Sequence, residues 1–153
     1  MTDSRSSLSN IVIRPATDDD RDTLYKIHCQ AMYDVVKQTW GWDEDFQVAY
    51  WKREWDPSEF RIIVIDGKVV GSMTVVDRPH EIRLAGFELE PDFQGRGIGS
   101  QLLKGLQEEA VRRGLPLALG VLLVNTRARA LYERHGFIEY ERSDIKAEMR
   151  WDP

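Results

Sequence analysis

Apolar residues recur at two spacings along this chain, and the switches between them predict the order of its elements. Ile11–Ala16 reads as a first strand, with Pro15 near its end. Asp18, Asp19 and Asp20 follow, placing a cap and negative charge where a helix begins. Leu24, Ile27, His28, Ala31 and Val35 then fall at helical spacing. A second helix is expected from about Asp43 to Glu54, carrying Phe46, Tyr50 and Trp51, with Gly41 separating the two. Phe60–Ile65 and Val69–Val76 read as strands joined by Asp66-Gly67, a pair that tolerates the positive φ of a hairpin turn. Glu81–Glu90 is a further strand, ended by Pro91.

Ile98–Arg113 carries Ile98, Leu102, Leu103, Leu106, Ala110 and Val111 at helical spacing, and Gly114 with Pro116 stops it. Leu117–Val124 is almost wholly apolar, as a strand covered on both faces would be. Thr126–His135 reads as a short helix ended by Gly136, and Phe137–Arg142 and Ile145–Trp151 as two closing strands. Strands interleaved with helices in this order predict an α/β (α+β) chain with a mixed sheet. The expected organisation is a flexible, Ser-rich N-terminal segment over residues 1–10 and a single domain over 11–153.

Composition changes this picture little. A length of 153 residues fits one domain, and 42% hydrophobic with 31% charged residues is ordinary for a globular protein. The one cysteine, Cys29, excludes an intrachain disulfide and sits among Leu24, Ile27 and Ala31, so we expect a small buried hydrophobe. The first ten residues lack the apolar run of a signal peptide, and no stretch is apolar enough to span a membrane. A cytoplasmic protein with no membrane partner is the expectation. A net charge of -5 argues against a nucleic-acid partner. The charge is uneven: residues 91–153 hold ten Lys and Arg against nine Asp and Glu, whereas residues 1–90 hold eleven against seventeen. An anionic ligand is better received by the later part and a cationic one by the earlier part.

The chemistry concentrates in Gln94-Gly95-Arg96-Gly97-Ile98-Gly99-Ser100, which follows a strand and opens a long helix. Alternate glycines remove Cβ atoms where a ligand approaches backbone. The first N–H groups of a helix lack internal partners, and its dipole adds positive potential there, so a phosphate or pyrophosphate suits the site. Arg96 adds a cation. A nucleoside-triphosphate loop would need Lys followed by Ser or Thr after the last glycine, where Ser100-Gln101 stands. A dinucleotide fingerprint needs GxGxxG, and the spacing here is Gly95-x-Gly97-x-Gly99. A glycine-rich turn without a ligand is the remaining alternative.

The stretch resembles motif A of the GNAT acetyltransferase superfamily, Gln/Arg-x-x-Gly-x-Gly/Ala, here Gln94-x-x-Gly97-x-Gly99. Asn125-x-x-Ala128-x-x-Leu131-Tyr132-x-x-x-Gly136-Phe137 is similar to the family's second signature. The resemblance runs from about Ile11 to Trp151. It implies a single-domain GNAT-like fold, with a mixed, mostly antiparallel twisted sheet, splayed central strands and flanking helices. It implies acetyl-CoA as co-substrate, no metal, and transfer of acetyl to a primary amine of a small molecule or peptide. The pyrophosphate would lie on the amides from Gly95 through Arg96, Gly97, Ile98 and Gly99 to Ser100. The pantetheine arm would lie like a guest strand beside Phe87–Glu90, with Leu89 and Glu90 as its neighbours. Asn125 would hydrogen-bond the pantetheine or, alternatively, cap the helix from Thr126. Tyr132 matches the family's general acid at the departing thiol. A non-catalytic acyl-CoA-binding module is the alternative function.

The family resemblance assigns no base. Glu88 lies between Phe87 and Leu89, whose apolar side chains favour a raised pKa, and is the first choice. Glu81 is the second, and a base acting through water is a third option. His28, His80 and His135 are too scattered for a metal site and are expected to be structural. Tyr33, Trp40 and Trp42 are candidate substrate contacts within an aromatic and acidic group that includes Met32, Asp43, Glu44 and Phe46, suited to a cationic amine. The alternative is that these aromatics are core and the acids cap a helix. The oligomeric state stays open, with a homodimer among the options.

Overall fold

In the computed structural model residues 10–153 are described, so the segment expected to be flexible lies, apart from Asn10, outside the described residues. The elements run β1 (Ile11–Pro15), a 3-10 turn (Asp18–Asp20), α1 (Arg21–Trp40), α2 (Glu44–Glu54), a turn (Pro57–Glu59), β2 (Phe60–Ile65), β3 (Lys68–Asp77) and β4 (Ile82–Leu89). A turn (Pro91–Phe93), α3 (Ile98–Arg113), β5 (Leu117–Leu122), α4 (Thr126–Arg134), β6 (Ile138–Arg142) and β7 (Lys146–Trp151) follow.

The hydrogen-bonded strand order is β1-β2-β3-β4-β5-β7-β6. β1 with β2, β2 with β3, β5 with β7 and β6 with β7 are antiparallel. β4 with β5 is parallel, and its register covers Ile82–Leu84 against Leu117–Leu119, although β4 continues to Leu89 and β5 to Leu122. The fold is the mixed, mostly antiparallel α/β class expected. Residue contacts gather into two units: the described residues to Thr74 with Gly86–Gln94, and Val75–Ala85 with Gly95–Pro153.

In the first unit, Leu24 and Ile27 of α1 pack on Ile62 of β2, with Trp51, Trp55 and Phe60 around them. Asp20 is the N-cap of α1 but makes no side-chain bond to its amides, because its carboxylate is engaged elsewhere. Asp20 accepts from the Thr17 amide and takes both Arg14 Nη atoms at 2.8 and 2.9 Å. The β2–β3 register steps from Ile63↔Gly71 to Val64↔Val69, so Val70 is a bulged extra residue whose carbonyl accepts from the Glu90 amide at 2.8 Å. Gly71 is required by close approach: a Cβ there would strike the Glu88 carbonyl and stand 3.1 Å from Leu89 Cα.

In the second unit, α3 buries Ile98, Leu102, Leu103, Leu106 and Ala110, and β5 buries five of its six residues. β5 ends two residues before the apolar run does. The Leu123 amide still bonds the Ile145 carbonyl in line with the β5–β7 register, but the Asn125 amide returns to Leu122, so the chain turns through Leu123 and Val124 into α4.

Candidate active site

The glycine loop takes the shape its composition favours. Gly95 and Gly97 lie at φ +74° and +82°, and Gly97 is the N-cap of α3 in the left-handed region. Its carbonyl accepts the first helical bond, from the Gln101 amide at 3.1 Å. The amides of Ile98, Gly99 and Ser100 therefore have no acceptor within the helix. No side chain caps this end and its first turn holds no acid, so the positive end of the dipole is uncompensated locally. Ile98, Leu102 and Leu103 are buried and pin the helix start. Arg96 is exposed on the loop. Arg127 joins it from α4: its Nη2 lies 2.8 Å from where a Cβ on Gly95 would stand. With backbone donors at the helix start and two guanidinium groups on and beside the loop, the arrangement fits a pyrophosphate.

Asn125 caps α4, its Oδ1 accepting from the Ala128 amide at 3.3 Å, which leaves its Nδ2 outside that bond. Tyr132 is buried in α4, with its ring 5.7 Å from that of Phe137 and its carbonyl accepting the Phe137 amide.

In the first unit, Gln94 Nε2 donates to the Leu89 carbonyl at 2.9 Å and closes the turn that leads to the loop. One lone pair of that carbonyl is thus engaged within the chain. The Glu90 amide goes to Val70, and its carboxylate pairs with Lys68 at 3.1 Å.

Glu88 and Glu81 differ in setting. Glu81 precedes β4, and its carbonyl accepts the Arg78 amide. Glu88 is in the strand and mostly shielded, its Oε2 2.9 Å from His28 Nδ1. His28 Nε2 lies 3.2 Å from Gln47 Oε1 of α2. The imidazole is packed by Trp51 at 5.1 Å, Tyr25 at 6.2 Å and Trp42 at 6.3 Å between ring centroids. Burial lowers the His28 pKa, but bonds to Glu88 and Gln47 and the Glu88 charge outweigh it, so the net direction is upward. Cys29, next along α1, is half-buried, and burial pushes its thiol up.

Tyr33 and Trp42 meet at 5.1 Å, and Glu44 accepts from the Trp42 indole at 2.8 Å and the Tyr25 hydroxyl at 3.1 Å. Tyr33, Phe46 and Trp40 are exposed, Trp40 at 64%, whereas Trp51 and Trp55 pack on the core. Asp43 caps α2 through the Phe46 amide. Sequence reasoning missed His28 as a partner of Glu88, Gln47 behind it, and Arg127 at the loop. The available signal for His28 was its place on the apolar face of α1, where a polar ring needs a partner.

Residues 21–137 match the model of the acetyltransferase (GNAT) family. The chain belongs to this family. The GNAT chain is 28% identical over 151 residues to an uncharacterized N-acetyltransferase of Methanocaldococcus jannaschii, covering 88% of this chain and 63% of that protein. It is 32% identical over 90 residues to an acetyltransferase of Pectobacterium atrosepticum, covering 58% and 62%. The chain thus spans somewhat less than two thirds of the length of these curated relatives. Among solved structures it is similar in fold to the PaiA N-acetyltransferase of Thermoplasma acidophilum in complex with coenzyme A, at TM-score 0.78 and 16% identity over 94% of this chain and 99% of that one. It is also similar to an acetyltransferase of Thermus thermophilus, at TM-score 0.73 and 19% identity over 94% and 97%. At these identities the likeness speaks for the fold alone.

Proposed function

We propose that this protein is an N-acetyltransferase that moves acetyl from acetyl-CoA to a primary amine of a small molecule or peptide. The observation that carries this reading is the start of α3, where left-handed Gly97 precedes three amides without helical acceptors and the first turn holds no acid. Acetyl-CoA, when bound, supplies the activated acyl group. The amides from Gly95 to Ser100, with Arg96 and Arg127, hold the pyrophosphate. The Leu89 backbone, whose carbonyl keeps a second lone pair, and the Asn125 side chain hold the pantetheine, with Glu90 beside it.

Glu88 takes a proton from the incoming ammonium, directly or through water, and the Tyr132 hydroxyl gives one to the departing sulfur. Tyr33, Trp40 and Trp42, with Glu44 among them, receive the cationic acceptor. Incubation with acetyl-CoA and a panel of butylamine, phenethylamine and a lysine-containing peptide, followed by free thiol, tests the proposal. Amine-dependent thiol release is expected. Tight coenzyme A binding with no release for any amine would make the protein an acyl-CoA-binding module instead.

A further inference from the structure

The Glu88 carboxylate is held by a residue from another element, and that holder is itself held. His28 Nδ1 stands 2.9 Å from Glu88 Oε2, leaving Oε1 out of the bond. Both side chains are about one sixth exposed, at 16% and 15%. At the opposite ring nitrogen is a primary amide, Gln47, 3.2 Å away. An amide presents an oxygen in one orientation and an NH2 in the other. Gln47 therefore serves His28 in either protonation state: its oxygen accepts from Nε2–H, or its NH2 donates to a bare Nε2. The Nδ1–H bond to Glu88 persists in both. Trp51, Tyr25 and Trp42 confine the ring plane, so its direction toward Glu88 is set by packing as well as by hydrogen bonds.

We propose that His28 is a positioning residue that fixes Glu88 through Oε2 and turns Oε1 toward the incoming amine. This rests on Glu88 being the base. The titratable groups around the imidazole are Glu88 from β4, Tyr25 and Cys29 from its own helix, and Glu44 from α2, which reaches Tyr25 and Trp42. Among them Glu88 bonds the ring directly. While the ring is protonated, its bond to Glu88 is charge-assisted and so holds the carboxylate more firmly. The raised His28 pKa extends that protonated range to higher pH.

The two amide replacements of His28 separate positioning from bulk. The Nδ2 of Asn falls near the position of the ring Nδ1, so His28→Asn retains a donor to Glu88 without the charge. His28→Gln reaches toward the Nε2 position and loses it. With the fastest amine of the panel, His28→Asn should stay within about fivefold of wild-type kcat, because it keeps a donor to Glu88. His28→Gln should lose about tenfold to a hundredfold in kcat, the scale of a misplaced catalytic group. KM for acetyl-CoA should change in neither. Equal rates for the two amide variants, high or low, would overturn the proposal. A substrate-free measurement accompanies this: the NMR titration midpoint of the His28 ring should fall by about one unit in Glu88→Gln. An unchanged midpoint would also overturn it. Glu88→Gln turnover separates the failures, since a wild-type rate removes the base reading itself, whereas a slow Glu88→Gln with indifferent His28 variants removes only the positioning role.

Discussion

Replacing Gly97 tests whether the start of α3 is the cofactor cradle. The residue lies at φ 82° and ψ 1°, inside the left-handed region. An L-residue there costs about 1–2 kcal/mol, less for Asn and more for a β-branched residue. The helix has little freedom to relieve this by sliding, because Ile98 is 3% exposed, Leu103 fully buried and Leu106 3% exposed. The strain therefore falls on the loop. If the loop relaxes elsewhere, a cost of about 1–2 kcal/mol lowers the competent population about five- to thirtyfold, and apparent Kd rises by that factor. Gly97→Ala should thus bind coenzyme A about five- to thirtyfold more weakly. Gly97→Asn should lie nearer wild type, and Gly97→Val should lose about a hundredfold or more as its branched side chain also enters the phosphate's place. Calorimetry with coenzyme A reads the affinities, and melting curves confirm that each variant is folded. Wild-type affinity in folded Gly97→Val would refute the cradle, and an order other than Gly, Asn, Ala, Val would refute the role given to backbone strain.

Tyr132→Phe should lower turnover by about a hundredfold or more while leaving coenzyme A affinity nearly intact, as measured by thiol release and calorimetry; collapsed affinity would remove the acid role. Gly71→Ala should destabilise the fold by about 1–3 kcal/mol, because its Cβ meets the backbone of Glu88 and Leu89 and a flexible side-chain end is not what must move. Urea denaturation checks it, and the variant should also be slow, since Glu88 is displaced. Asp20 has a pKa lowered chiefly by the Arg14 hydrogen bond, against a smaller opposing effect of burial. Its stabilisation is full above the ordinary carboxylate pKa of about 4 and is lost as pH falls through the depressed folded value. Asp20→Asn should therefore cost about 1–2 kcal/mol at neutral pH, with the difference from wild type shrinking below about pH 4 in denaturation curves.

What was legible in the sequence is what is local in the chain. The start of α3 needs a helix pattern, a glycine N-cap and the absence of an acid in the first turn, and all three lie between Gln94 and Leu103. The Asp43 cap of α2 and the glycine after α1 are of the same kind. Element ends departed where apolar character and geometry part company. Leu123 and Val124 are apolar enough for β5, but the Asn125 amide bonds Leu122 and the chain has already turned. The proposed base is the opposite case. Glu81 and Glu88 are two glutamates of one strand pattern, and nothing within that strand ranks them beyond the neighbours of Glu88. Their difference is a partner sixty positions away in sequence, brought in by α1. That partner did leave one mark. A histidine in register with Leu24 and Ile27, both almost fully buried, takes its ring into shielded surroundings. There each ring nitrogen left without a partner would cost about 1–3 kcal/mol. A polar ring on an otherwise apolar helical face therefore implies partners on whatever packs against that face. In this chain the facing elements supply Gln47 and Glu88, so the helix that builds the core of the first unit also sets the direction of the proposed base.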